Sequence, residues 1–111
     1  MKLLALLVGV LALNSSNPSR AQVVEKEFTL TLSRTHLKAG PAILEVDNFG
    51  QDPHDLRVQR IGAHHIAGTP VVPPGGRAEL ALNLPPGRYS LWCSIADHRA
   101  RGMHAILIVK R

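Results

Sequence analysis

The chain has a single cysteine, Cys93, among its 111 residues. It has no internal disulfide with which to staple a small fold. Aromatics amount to 4% of the residues, and no basic cluster is interleaved with them, which removes the stacking and charge pattern of a nucleic-acid binder. Proline or glycine interrupts nearly every window long enough for three helical turns, so a helical fold is excluded. Nor does any apolar run reach the roughly 20 residues of a membrane span. The length allows one ordinary domain and excludes a multidomain enzyme. At 45% hydrophobic and 19% charged residues, the composition is that of a chain that folds.

Lys2 stands ahead of an apolar run from Leu3 to Leu13, and a polar stretch follows from Asn14 to Ser19. This is the pattern of an export signal. Ser19 and Ala21 put small residues at the −3 and −1 positions of a cleavage site, so the expected division is a leader over 1–21 and a domain over 22–111. No cysteine near the leader offers an acceptor for a lipid anchor. Thirteen Lys+Arg against eight Asp+Glu give +5; without Lys2 and Arg20 the balance is eleven against eight, or +3. That bias is too small to imply a polyanionic partner.

The rest of the chain reads as strands. Apolar and polar side chains alternate through Phe28–Ser33, Ala42–Asp47, Leu56–Gln59, Glu79–Leu84 and Tyr89–Cys93, and Ala105–Val109 is a branched apolar run. Turn chemistry separates them at Ala39-Gly40-Pro41, Asn48-Phe49-Gly50, Val72-Pro73-Pro74-Gly75-Gly76 and Leu84-Pro85-Pro86-Gly87. About seven short strands at this spacing predict an all-β, antiparallel Greek-key β-sandwich. Residues 60–70 show no period and are expected to form a loop.

Cys93, His98 and Met103 recur at five-residue steps within one predicted loop between two strands. A thiolate, an imidazole and a thioether are soft or borderline donors, the set that selects copper over magnesium or calcium. About forty residues upstream, His54 opens a strand as Cys93 ends one; if the two strands are neighbours, both side chains meet at one end of the sandwich. Two His, one Cys and a weak Met form the donor set of a blue-copper electron-transfer site. No motif around Cys93 suggests a catalytic thiol. His36, His64, His65 and His104 are expected at the surface, and most of the four aromatics in the core or on strand faces.

The segments PHDLRV and YSLWCSIADHRARGM, the two PPG turns and the closing AILIV run resemble the cupredoxins over residues 24–110, with the Cys-x4-His-x4-Met spacing of their long-loop members such as rusticyanin, auracyanin and sulfocyanin. The resemblance implies one copper ion held by His54, Cys93, His98 and Met103. It implies a hydrogen bond between Asp55, where the family commonly has Asn, and Ser94; the extra negative charge is expected to favour oxidised copper. It also implies that His98 exposes a ring edge as an electron port within a patch including Pro53, Ile95, Ala96, Ala100 and Gly102, with Arg99 and Arg101 on the rim to attract an acidic redox partner. The expected function is an exported one-electron carrier, monomeric and not an enzyme. An extracytoplasmic copper carrier or store is the alternative, and a metal-free adhesion sandwich a third reading. No further Cys and no His-x-His cluster is present for additional copper centres.

Overall fold

The computed structural model describes residues 17–111. Most of the expected leader, residues 1–16, lies outside them. Among the described residues there are nine strands: β1 (Ser19–Lys26), β2 (Thr29–Leu32), β3 (His36–Lys38), β4 (Gly40–Asn48), β5 (Arg57–Arg60), β6 (Ile66–Gly68), β7 (Arg77–Leu84), β8 (Gly87–Trp92) and β9 (His104–Lys110). They form two sheets, ordered β2-β1-β4-β7 and β3-β9-β8-β5-β6. The sequence-predicted strands are all present. The three that alternation does not reveal are β3 and β6, each too short to show a period, and β1, whose first residues read as part of the leader.

The inward positions of both sheets build the core. Ala21 and Val23 on β1, Ala42, Leu44 and Val46 on β4, Tyr89 and Leu91 on β8, and Leu107 and Val109 on β9 are all buried. Each fully buried Leu or Val contributes about 1.5–3 kcal/mol, which is how a chain this short holds a sandwich together. Tyr89 is held at the far end by its hydroxyl, which donates to the Pro85 carbonyl at 2.6 Å.

Two pairings are parallel, β1 with β4 and β3 with β9, where the sequence suggested an antiparallel sandwich. Alternation reports which face a side chain takes and is silent on strand direction. The chain makes the β1–β2 hairpin, crosses to the second sheet for β3, and returns as β4 on the other side of β1. Ser19, Arg20 and Ala21 pair with Ala42, Ile43 and Leu44, so cleavage after Ala21 would remove the first part of this ladder. The upstream and downstream motifs meet because β5 and β8 are neighbours, with Arg57 opposite Trp92 and Val58 opposite Leu91.

Candidate metal centre

His54, Cys93 and His98 come together at one end of the sandwich and are all buried. The Nδ1 atoms of the two histidines lie 3.2 Å apart, and Cys93 Sγ is 3.8 Å from His54 Nδ1 and 3.7 Å from His98 Nδ1. Bonds of about 2.0 Å to nitrogen and 2.3 Å to sulfur, spread in a trigonal plane, require separations of roughly 3.5 Å between nitrogens and 3.7 Å from nitrogen to sulfur. The triangle has the right size for one ion.

The downstream donors are positioned by their own loop. Cys93 N–H donates to the Met103 carbonyl at 3.1 Å, and Met103 N–H donates to the His98 carbonyl at 3.0 Å, closing the loop at its neck. Within it His98 N–H bonds the Ile95 carbonyl and Gly102 N–H bonds the Arg99 carbonyl. Gly102 takes φ 129° with a position for a Cβ only 2.7 Å from the Phe28 carbonyl oxygen, so no side chain fits there. Met103 follows and is fully buried.

His54 is placed by residues far away in the chain. It lies outside any strand, joined to Val72 by a pair of backbone bonds of 3.1 and 2.7 Å. Its Nε2 faces Glu27 Oε2 at 3.3 Å, while Glu27 Oε1 accepts the N–H groups of Gln51 and, at 2.6 Å, Asp52. A histidine that donates from Nε2 leaves Nδ1 free as a donor to metal. Burial works to raise the Glu27 carboxyl, but those N–H groups and His54 outweigh it and hold it below the ordinary carboxylate range. Buried Asn48 fixes the same segment, its Nδ2 donating to the carbonyls of Asp52 and Val72 and its Oδ1 accepting from Gly50 N–H.

Burial pushes the Cys93 thiol up, with help from Glu25 and Asp55; backbone N–H groups of Asp55 and Ile95 act the other way. A bound metal is what makes such a sulfur a thiolate. The implied Asp55–Ser94 pair is present: Asp55 accepts from Ser94 N–H at 2.7 Å and from the Ser94 hydroxyl. Arg57 lies 3.2 Å from Asp55 Oδ2 and offsets the charge that the sequence left uncompensated.

The second histidine differs from expectation. His98 is only 5% exposed. The Phe28 ring packs on it at 5.3 Å between centroids, the Arg101 guanidinium lies 4.0 Å over that same Phe28 ring, and Asp52 Oδ2 is 3.6 Å from His98 Nε2. Phe28, expected in the core or on a strand face, thus covers the imidazole edge, because it falls in the β1–β2 turn at the site's end of the sandwich. Pro53, Ala96, Arg99, Ala100 and Arg101 are exposed and Ile95 is half-buried. Arg99 rests 4.3 Å over the ring of Trp92, which is buried at the end of β8. His36, His64, His65 and His104 are exposed. Glu27, Asn48 and Phe28 sit in no local motif that would reveal these roles.

No family model matches the chain, and no curated protein matches it in sequence. Solved structures do. Auracyanin from Roseiflexus castenholzii superposes with a TM-score of 0.69 at 17% identity, over 86% of this chain and 100% of that one. Auracyanin A from Chloroflexus aurantiacus, described as a blue copper protein, gives 0.67 at 15% identity over 85% of this chain and 100% of its own. A multi-copper oxidase from Pediococcus acidilactici gives 0.63 at 19% identity, over 86% of this chain and 27% of the oxidase. The chain therefore has the fold of the cupredoxins, and its buried His–Cys–His cluster fits a single copper ion.

Proposed function

We propose that the protein is an exported, monomeric one-electron carrier in which His54, Cys93 and His98 would hold one copper ion, with the buried Met103 thioether as a further weak donor. The observation that carries the reading is the triangle of donor atoms with sides of 3.2, 3.7 and 3.8 Å. Copper there supplies a one-electron couple. The chain's part is to keep the donors fixed while the charge changes. Glu27 orients His54, the Cys93–Met103 neck orients the thiol, and burial of all three donors excludes water. A site that cannot rearrange keeps a compromise between the geometries preferred by the two oxidation states, which favours rapid transfer.

Full-length superposition on the auracyanins supports a carrier over an enzyme, since the oxidase is matched only in part. Among the described residues no helix is long and apolar enough to cross a membrane. The apolar run at Leu3–Leu13 supports export, and retention of Ser19–Ala21 in the β1 ladder favours a leader that ends ahead of Ser19. Partner docking is assigned to the face over His98, where Phe28 and the exposed Pro53, Ala96 and Ala100 adjoin Arg99 and Arg101, with half-buried Ile95 beneath; this suits a redox protein with an acidic patch.

The test is addition of copper(II) to the purified apoprotein. Stoichiometric uptake, intense visible absorption from thiolate-to-copper charge transfer, and reversible bleaching by ascorbate are expected. A colourless chain that binds only copper(I) makes it a carrier of the metal instead, and no stoichiometric binding overturns the copper reading. Met103→Leu should keep copper bound and raise the potential; an unchanged or lowered potential removes Met103 from the donor set.

A further inference from the structure

Glu25 is the unexplained residue beside the centre. It occupies the inward position after Ala21 and Val23 on β1, where a sandwich places an apolar side chain. It is fully buried, and among the described residues neither carboxyl oxygen has a hydrogen-bond partner. Its cross-strand neighbours are Leu30 on β2 and Asn48 on β4. From the second layer the groups that act on it are Asp55, ahead of β5, and Cys93, after β8. Asp47, next to Asn48, is engaged by Gln22 and Arg77 and adds no cation to the Glu25 environment.

We propose that Glu25 is a redox-linked proton site: its carboxylate takes a proton from solvent when the neighbouring centre accepts an electron from a one-electron donor, and gives it back when the electron leaves. The proposal rests on the copper reading above. One electron reduces copper(II) to copper(I), one proton neutralises the carboxylate, and no bond to the metal forms or breaks.

Charge and burial supply the reason. An isolated carboxylate in a dry interior is costly, and the group avoids the cost by holding a proton. Burial, with the Asp55 charge adding to it, pushes Glu25 up to about 8. Oxidised copper adds one positive charge within the same end of the sandwich and favours the ionised acid; reduction withdraws that charge. Glu25 and the metal therefore bias one another by equal amounts, as two linked equilibria must. The chain itself carries the same sign: because the folded acid holds its proton to a higher pH than the unfolded one, folding is favoured at low pH and loses ground as pH rises from the ordinary carboxylate range toward 8.

The experiment is the reduction potential of the copper-loaded protein from about pH 6 to 9 across the titration of the buried acid, in the wild type and in Glu25→Gln. In the wild type the potential should fall as pH rises, by at most a tenfold shift of the redox equilibrium per pH unit, about 59 mV. Glu25→Gln should be flat over the same range. A flat wild type, or the same slope in the variant, overturns the proposal. If Glu25→Gln fails to fold, carbon-13 titration of the Glu25 carboxyl in the wild type, metal-free and with copper(I), decides instead: a midpoint well above ordinary carboxylates is expected, and an ordinary one overturns the assignment. A chain that takes up no copper sinks both readings, whereas a copper-loaded chain with a pH-independent potential sinks this one alone.

Discussion

Between Cys93 and Met103 the donor loop is tied to itself, by backbone bonds at its neck and a turn within it, whereas the segment carrying His54 is tied to Glu27 on one side and Val72 on the other. The first arrangement needs only eleven consecutive residues to be correct. The second needs the β1–β2 turn and the stretch before β7 to be in place before His54 has an orientation at all. A metal centre assembled this way has one half specified by local sequence and one half specified by the completed fold.

The largest expected effect removes the thiol at the neck of the self-tied loop. Cys93→Ser should abolish the charge-transfer absorption while circular dichroism still reports the strands; persistent colour would remove the thiol from the centre. Next comes Glu27→Gln, which keeps the shape of the side chain but weakens its hold on His54 and on the Gln51 and Asp52 N–H groups. Partners of this kind are worth 10–100-fold in metal affinity, roughly. Copper titration with unchanged affinity would show that the fold alone suffices to hold His54. Gly102→Ala attacks the self-contained loop, forcing a Cβ toward the Phe28 carbonyl at a left-handed φ. A loss of about 1–3 kcal/mol in denaturant unfolding is expected, and an unchanged midpoint would mean that the loop adjusts freely. The smallest effect is reserved for Arg57→Met. It leaves Asp55 without its cation, so the potential should fall modestly while copper stays bound; a rise would contradict the compensating role of Arg57.

The same division governs what the sequence discloses. Strict alternation in Ala42–Val46 and Glu79–Leu84 identifies β4 and β7, because each strand has one dry face. Cys93, His98 and Met103 are readable for a similar reason, since their spacing is itself the geometry. His54 is nominated only by its place at the start of a predicted strand and then by family resemblance, and its partner Glu27 is not found, because a contact between residues 27 apart leaves no periodic trace. Phe28 is recognised as apolar but not as the cover of His98, since its place over the imidazole depends on where the β1–β2 turn ends up. Glu25 is hidden for the opposite reason: a charged side chain within Val-Val-Glu-Lys-Glu reads as surface, and only the register of β1 turns it inward.

The sheet order also bears on how copies of this protein behave when crowded. Among the described residues, each sheet ends in two strands whose outer backbone groups lack a neighbouring strand, and such rims invite a foreign strand to add on. β2, β3 and β6 have four, three and three residues, too little to template anything stable. β7 has eight, and along it the outward side chains include Arg77, Glu79 and Asn83. Charge and polarity on that rim, together with brevity on the others, give the molecule a built-in resistance to sheet-to-sheet aggregation.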